Sequence, residues 1–327
     1  MATYTETIDD LYISTWAEVR KEVVDNIFTA TPFFFWLKNR GGIQEDHTGG
    51  KWLDIPLLVA KNDTVTAYEK GGSFAITRTD KNDLARYEWK YMGGSLVRFK
   101  TEELQNRGKA QIINLIKHEI DVIKLSLTDH IETTLFADGT GNSGKDFNGL
   151  DILCDEDPTT AVTSPQTEVG NIPQASNTFW QNGYRQMDTD GTVANLHMMK
   201  SWKYLHRTIR NGNDKPDIIV TTDVILDFYE DECIEFKVIE NKELGDAGFR
   251  NLTWRGTPII DSPSCKAGST YMLNTKYLSL ISQAGANFDM TEWKNSPDTL
   301  DRYAQIFSSL NFTTSNRGRQ GVVFDID

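Results

Sequence analysis

The feature that most constrains this chain is a long stretch without glycine or proline, from Lys109 to Ala137. Within it, apolar residues recur at steps of 4, 4, 3, 4, 4 and 4 at Ile112, Ile116, Ile120, Ile123, Leu127, Ile131 and Leu135. This spacing predicts an amphipathic helix of roughly 40 Å at ~1.5 Å rise per residue. The mean step of about 3.8 exceeds the 3.5 of a left-handed coiled coil, so we expect the helix to lie across a surface rather than to pair with another helix.

The segment before this helix predicts strands and turns. Glycine pairs at 41/42, 49/50, 71/72 and 93/94 separate short β-type runs, such as 51–60. Tyr87, Trp89 and Tyr91 alternate with polar residues, which predicts a strand with one covered face. Residues 41–96 therefore form either a small sheet or a long projecting hairpin, and the sequence favours neither.

The N-terminal 40 residues combine a helix-like pattern with an aromatic run. Apolar residues recur at helical spacing, and a helix is predicted to end before Pro32. The run that follows is too short to span a bilayer and consists of Phe33, Phe34, Phe35 and Trp36. We expect this aromatic surface to be buried, as a contact between subunits.

The second half of the chain predicts alternating helices and strands. A helix is expected around 196–210, followed by a strand at 217–221 and a helix from 223 to about 238. Residues 252–327 are predicted to be strands and turns. Because 327 residues exceed the roughly 250 to 300 at which one core stops growing, we expect two packed units.

Composition and charge exclude several classes of protein. With 34 basic and 47 acidic residues, the net charge is −13, and hydrophobic residues make up 39% of the chain. This balance indicates a folded, soluble protein without a membrane span, a secretory signal or a basic nucleic-acid arm. Cys154, Cys233 and Cys265 lie far apart, which fits a reducing compartment and supports neither a disulfide framework nor a cysteine zinc site.

The loop Gly139–Lys145 matches both G-x-G-x-x-G and G-x-x-x-x-G-K. A phosphate loop requires a preceding strand, a following helix N-terminus and a Ser or Thr after the lysine. Here a long helix is predicted to precede the loop, and Asp146 follows the lysine. We therefore interpret the segment as a helix-exit loop and expect no nucleotide or other cofactor there.

No metal or catalytic site is predicted. His118 and His130 are twelve residues apart, which does not bring them to one face of a helix, and neither belongs to H-E-x-x-H. The acidic segments 151–157 and 188–191 lack the ligand spacing of a twelve-residue calcium loop. A Ser-His-Asp triad is not excluded, although no G-x-S-x-G occurs.

Charge is unevenly distributed along the chain. Residues 78–109 contain eight basic and five acidic residues, a net of +3, whereas residues 1–30 carry a net of −4. Two readings remain open: two unrelated solvated surfaces, or complementary surfaces on neighbouring copies. For the second, our guess at the contacting residues is Arg86 and Lys90 against Glu18 and Glu22.

The order of these elements resembles tailed-bacteriophage major capsid proteins of the Hong Kong ninety-seven type. The resemblance covers essentially the whole chain and depends on order, since each segment is a loose pattern. Three N-terminal segments carry it: the arm (1–40), the strand-and-turn segment or β excursion (41–96), and the long helix with its exit loop DGTGNSGKDFNGL. Three later strings support it, KPDIIVTT at 215–222, LTWRGTPII at 252–260 and YMLN at 271–274.

The resemblance implies an α+β fold in four parts. These are an N-terminal arm (1–40), an extended β-hairpin loop (41–96), a peripheral domain with a long spine helix (97–150 and 290–327), and an axial or A domain with a central sheet flanked by helices (151–289).

The resemblance also implies a non-enzymatic function. It implies self-assembly into the hexamers and pentamers of an icosahedral shell that encloses phage double-stranded DNA, located in the virion and assembled in the host bacterial cytoplasm. Portal and decoration proteins are candidate partners. Because the arm starts almost at Met1, we expect scaffolding to be a separate protein or absent. The net charge of −13 predicts that DNA is contained without tight binding and that no membrane is involved.

Two alternatives stay open. One is another virion or surface-layer binding module, and the other is an α/β enzyme that binds a nucleotide through Gly139–Lys145.

Overall fold

The computed structural model describes residues 32–47, 50–62, 64–73, 81–100, 109–160, 168–187, 198–233, 252–297 and 301–326. The helices within these ranges are α1 (Pro32–Asn39), α2 (Lys109–Phe136), α3 (Leu150–Leu153), α4 (Met198–Ile209) and α5 (Asp223–Cys233). Three single 3₁₀ turns accompany them at Thr178–Trp180, Thr275–Tyr277 and Arg317–Arg319.

The strands in the described ranges form two six-stranded sheets and one two-stranded hairpin. They are β1 (Ile43–His47), β2 (Trp52–Leu58), β3 (Asn82–Glu88), β4 (Lys90–Arg98), β5 (Gly183–Gln186), β6 (Ile218–Thr221), β7 (Leu252–Trp254), β8 (Thr257–Asp261), β9 (Thr270–Leu273), β10 (Leu278–Gln283), β11 (Asp289–Met290), β12 (Lys294–Asn295), β13 (Arg302–Thr314) and β14 (Gly321–Phe324).

The predicted long helix is confirmed as α2, which has 28 residues. Four members of the predicted stripe are buried, Ile120, Leu127, Ile131 and Leu135, and Thr134 and Phe136 are buried beside them at the end of the helix. Ile123 is half-buried against the same core. The side chains of 109–117, which include the first two members of the stripe, lie outside the described residues.

Strand β13 organises the first sheet. Its C-terminal residues, from Leu310 to Thr314, pair with β10 in antiparallel register. Its N-terminal part pairs with β4, from Arg302 opposite Arg98 to Leu310 opposite Lys90. The short strands β11 and β12 also pair with β13, and β1 runs parallel to β10. Helix α2 packs on one face of this sheet, where a Cβ on Gly94 would lie 3.8 Å from Ile123 Cδ1.

The second sheet has the strand order β5-β14-β9-β6-β8-β7. The two faces of this sheet contribute to two different hydrophobic cores, because successive side chains of a strand point to opposite faces. One face joins the main core that also contains α2 and the first sheet, through Ile218, Val220, Ile260, Tyr271, Leu273 and Val322. The other face packs against α4 and α5, through Ile219, Ile259, Met272 and Val323.

The aromatic run is helical and buried in its own chain, which corrects the sequence prediction. Pro32 begins α1, where its missing N–H costs nothing. Phe33, Phe34 and Trp36 are 1%, 0% and 3% exposed. Side chains that are fully buried within one subunit leave no surface for a second one, so these three are core residues rather than subunit contacts. The side chain of Phe35 lies outside the described residues.

Sheet membership crosses the boundaries expected from the sequence. Strand β14, expected in the unit with the long helix, pairs with β5 and β9 of the second sheet. Strand β10, expected in the A domain, pairs with β13. Within 41–96, the ends β1 and β4 belong to the first sheet, and only β2 and β3 form a separate hairpin. The observed sheet membership differs from the expected one because it depends on pairing between strands far apart in the chain, which local sequence patterns do not predict.

A buried arginine connects the segments between the two sheets. Arg317 is fully buried, and its guanidinium donates all of its hydrogen bonds to uncharged oxygens. The acceptors are Leu153 O (3.0 Å), Ile152 O (3.1 Å), Trp180 O (3.2 Å), Gln174 Oε1 (2.7 Å) and Asn182 Oδ1 (3.1 Å). Burial lowers the pKa of Arg317 to about 10, so the group stays charged at neutral pH.

We predict that Arg317→Lys lowers the free energy of unfolding of the unassembled subunit by ~3 to 5 kcal/mol. A lysine offers three donors, so buried acceptors lose their partners. The control is Arg319→Lys in the same turn, where one hydrogen bond to Ile209 O at 3.0 Å is at stake and the cost should be ~1 kcal/mol. Urea unfolding measures both, and equal midpoints for the two variants would contradict the prediction.

We predict that Ile131→Asp lowers the free energy of unfolding by more than ~3 kcal/mol, because it places a carboxylate in the core. Ile131 is 3% exposed, whereas Leu125 on the opposite side of α2 is 70% exposed. Leu125→Asp is therefore the matched control and should change stability by less than ~0.5 kcal/mol. Protease resistance of the two purified variants gives the comparison, and similar digestion rates would show that the buried face is assigned wrongly.

Candidate subunit interface

The β2–β3 hairpin presents an apolar surface to solvent. The two strands pair from Trp52 opposite Glu88 to Leu58 opposite Asn82. One face is buried at its base, whereas Leu58 and Leu84 on the other face are 81% and 40% exposed. The chain that connects the strands adds further exposed apolar side chains, Val65 and Tyr68. Exposed apolar surface of this kind marks an interaction site.

A second exposed apolar surface lies on the outer face of β4 and β13. Even-numbered positions of β4 face α2, so the odd-numbered positions face solvent. Tyr91, Val97 and Phe307 are 73%, 41% and 40% exposed there. Gly93 lies opposite Phe307, and a Cβ at Gly93 would lie 2.5 Å from Ile306 O, so only glycine permits this strand approach.

Sequence reasoning missed both surfaces. The alternation of Tyr87, Trp89 and Tyr91 predicted one covered strand face, but the strands change at Trp89. Tyr87 and Trp89 are buried, while Tyr91 lies in β4 with its ring in solvent. The signal that was available for the hairpin is the apolar pair Leu58 and Leu84 on a face that also carries charged residues.

The basic residues predicted as subunit contacts have partners in their own chain. Arg86 Nε lies 2.8 Å from Asp54 Oδ1 across the hairpin, and this hydrogen bond raises the pKa of Arg86. Lys90 Nζ donates to Gly144 O at 2.7 Å and lies 3.7 Å from Glu88 Oε2. Glu18 and Glu22, their expected partners, lie outside the described residues. The pairing between copies stays a prediction.

The exit loop of α2 is organised around a carboxylate rather than a phosphate site. Asp146 Oδ1 accepts a hydrogen bond from Asn142 Nδ2 at 2.8 Å and lies 3.8 Å from His130 Nε2. Asn142 and Ser143 have φ of 52° and 61°, so the backbone is left-handed here. A Cβ on Gly141 would lie 2.1 Å from Asp146 Oδ2, so any other residue at this position would displace the carboxylate.

The surroundings of this loop also differ from those of a phosphate loop. Helix α2 precedes it where a strand is required, and the four-residue α3 follows it. Lys145 is exposed. The Asp146 carboxylate would repel a phosphate beside Lys145, so the loop has the geometry of a helix exit rather than that of a phosphate loop.

Carboxylates of the acidic segment 151–157 accept hydrogen bonds from other side chains of the protein. Asp151 Oδ1 accepts hydrogen bonds from Lys266 Nζ at 3.1 Å and Tyr271 Oη at 3.4 Å. Asp155 accepts one from Gln174 Nε2 at 2.5 Å. Within the described residues no group of three or more His, Cys, Asp or Glu side chains could hold a metal ion. The other acidic segment, 188–191, lies outside the described residues.

The two described cysteines are free and buried. Burial raises the pKa of Cys154 and of Cys265 to about 12. A thiol with that pKa is protonated at neutral pH and is a poor nucleophile. The side chain of Cys233 lies outside the described residues. Among the helices that the structure describes, none has the length and apolar character needed to cross a membrane.

Comparison with known proteins identifies the fold. No protein-family model matches the sequence, and no curated protein is similar to it in sequence. Among solved structures, the cyanophage A-1(L) capsid asymmetric unit has a TM-score of 0.61 at 16% identity, covering 88% of this chain and 90% of that one. The capsid of a native GTA particle has a TM-score of 0.55 at 10% identity, covering 88% and 89%.

A third structure with the same architecture is a different kind of assembly. The SrpI encapsulin complex from Synechococcus elongatus PCC 7942 has a TM-score of 0.51 at 10% identity, covering 91% of this chain and 88% of that one. The chain therefore has the mixed helix-and-sheet fold found in capsid proteins of phage and related particles. At these identities the likeness defines the fold alone.

We predict that ATP binds neither to the wild-type protein nor to Lys145→Ala, because the exit loop is filled by the Asp146 carboxylate. Isothermal titration of the unassembled subunit with ATP and magnesium measures this directly. Micromolar binding by the wild type that Lys145→Ala abolishes would contradict it and would favour the nucleotide-binding alternative.

Proposed function

We propose that this protein is a structural subunit, without enzymatic activity, that self-assembles into the icosahedral capsid shell enclosing the double-stranded DNA of a tailed phage. The observation that carries the proposal is the likeness to a phage capsid subunit along 88% of this chain and 90% of that one. An agreement of such length extends over most of the chain. A single shared domain would cover much less.

The exposed surfaces support assembly on independent grounds. The hairpin and the outer face of β4 and β13 leave large apolar side chains in solvent, with Leu58 and Val65 each 81% exposed. Contact with another copy removes such surface from water at ~25 cal/mol per Å². In a shell every subunit can bury these surfaces against neighbouring copies, because every copy carries the same surfaces.

The finer features belong to the same proposal. We assign the protein to the Hong Kong ninety-seven type, with α2 as the spine helix and the second sheet with α4 and α5 as the A domain. Copies assemble as hexamers and pentamers in the host bacterial cytoplasm and reside in the virion. Portal and decoration proteins are proposed as further partners. The net charge of −13 argues that the DNA is enclosed without tight binding.

The acidic arm and the basic β excursion remain a proposed contact between copies. Arg86 and Lys90 are engaged within their own chain, so Glu18 and Glu22 of a neighbour would compete with Asp54 and the Gly144 carbonyl for them. Exposed pairs of this kind contribute ~0 to 1 kcal/mol each. Their effect would therefore fall on assembly rate and salt dependence.

A second candidate function is a protein shell with contents other than a genome. The likeness to the SrpI encapsulin complex, at a TM-score of 0.51, supports this alternative. The two differ in what the particle contains. Nuclease-protected DNA of phage length within purified virions supports the capsid, whereas particles that enclose a protein and no DNA support the alternative.

We predict that the purified wild-type protein forms closed particles of megadalton mass and that Leu58→Asp prevents their formation. Leu58 is 81% exposed in the subunit, so the change should leave the thermal midpoint of the unassembled subunit nearly unaltered. The matched control is Asn82→Asp, which adds the same charge directly opposite Leu58 without removing apolar surface. Size-exclusion chromatography with electron microscopy gives the readout. If Leu58→Asp forms normal particles, the hairpin surface is not a contact needed for assembly.

A further inference from the structure

Helix α4 carries a row of positive charge, although the chain as a whole has a net charge of −13. From 198 to 210 there are four basic residues and no acidic one. All four are exposed: Lys200, Lys203, Arg207 and Arg210. On the same surface, Tyr204 is 42% exposed, and the guanidinium groups of Arg185 and Arg207 lie 5.0 and 5.9 Å from its ring centre. These aromatic contacts hold Arg207 of this row and Arg185 of β5 in place.

Helix α5 carries the opposite pattern. From 223 to 233 there are five acidic residues and no basic one. Its exposed face contains Asp227, Glu230 and Asp231. Between these charges, Val224 and Phe228 are 62% and 42% exposed. The face therefore combines negative charge with apolar surface that the subunit leaves uncovered.

The two rows lie side by side on one face of the second sheet. Both helices pack against the same side of this sheet. Trp202 of α4 stacks on Tyr229 of α5 with ring centres 5.5 Å apart. Tyr229 Oη donates to Thr253 O of β7 at 2.9 Å, whereas α4 contacts β5 and β14 at the opposite edge. The outer surface thus presents a basic row next to an acidic row.

This arrangement decides between two kinds of partner. Nucleic acid binds through Lys and Arg clusters, but a continuous polyanion on α4 would lie beside the carboxylates of α5 and be repelled by them. A partner that itself carries both signs in adjacent rows avoids that repulsion. Every copy of this chain has such a surface.

We propose that the basic row of α4 in one copy docks against the acidic row of α5 in another copy, with Tyr204, Val224 and Phe228 removed from water at the contact. This inference rests on the proposed shell function and names one of its subunit contacts. Charge complementarity selects the pairing and speeds association, and the apolar side chains stabilise it once formed. It is distinct from the hairpin contact and from the predicted contact of the N-terminal arm.

Charge reversal with rescue tests the pairing. Lys200, Lys203, Glu230 and Asp231 are suitable because they are exposed and enter no ion pair within the described part of the chain. Lys200→Glu/Lys203→Glu should slow particle formation about tenfold at low salt, and Glu230→Lys/Asp231→Lys should do the same. The variant that combines all four changes should recover most of the wild-type rate, because the pairing is restored with reversed signs. Light scattering at several salt concentrations measures the rates.

Two controls separate the contact from general effects. Lys145→Glu/Lys276→Glu changes the net charge by the same amount at exposed positions outside the proposed contacts and should assemble at the wild-type rate. The thermal midpoints of all unassembled variants should match that of the wild type. Wild-type assembly kinetics in Lys200→Glu/Lys203→Glu, or no recovery in the fourfold variant, would overturn this inference while leaving the shell function intact.

A DNA-binding measurement tests whether nucleic acid, rather than another copy of this chain, is the partner of α4. Binding of a 20-base-pair duplex to the wild-type subunit, followed by fluorescence anisotropy and lost in Lys200→Glu/Lys203→Glu, would show that α4 binds a polyanion and would overturn the proposal. If the wild type forms no particles at all, the shell function itself fails, and that result is distinguishable from failure of this contact alone.

Discussion

The buried guanidinium of Arg317 fixes the relation between the two sheets. It follows β13 of the first sheet and precedes β14 of the second, and its five hydrogen bonds reach the end of α3 and the segment around Trp180. The charge is compensated by carbonyl and amide dipoles, and no carboxylate takes part in these bonds. Loss of any partner would leave a buried charge without a hydrogen bond, at a large cost in folding free energy. The helix exit, the connecting segment and the C-terminal strands are therefore held in one relative position.

With its interior fixed in this way, the subunit divides its surfaces between folding and assembly. The core residues of α1, α2 and both sheets are buried within one chain. The surfaces left over are the outer side of the β2–β3 hairpin, the outer face of β4 and β13, and the charged faces of α4 and α5. These surfaces are exposed in the single chain and carry apolar side chains, which is the combination that a repeating shell uses for contacts between copies.

The aromatic run and the glycine-rich loop show where sequence reasoning is limited. A run of four aromatic residues indicates that burial is required, but it does not say which surface provides it. The partners of Phe33 prove to be Phe136 and Phe312, distant in sequence and in the same chain. The loop after α2 was correctly placed at the exit of a helix, because the element that precedes it is predicted from neighbouring residues. The absence of a bound nucleotide stays a prediction.

The sequence alone determined the elements whose causes are local: the 28-residue helix from its apolar period, the helix-exit loop from its glycines, and the helices and strands of the second half from their caps and breaks. It also determined the order of elements on which the capsid resemblance rests. The tertiary structure decided that β14 crosses to the second sheet, that β10 joins β13, and that Arg317 is buried in a network of carbonyls. It also decided which alternate residues of β4 and of the hairpin face solvent. These features depend on pairing between residues far apart in the chain, whose free energy comes from contacts and desolvation that appear only once the chain is packed.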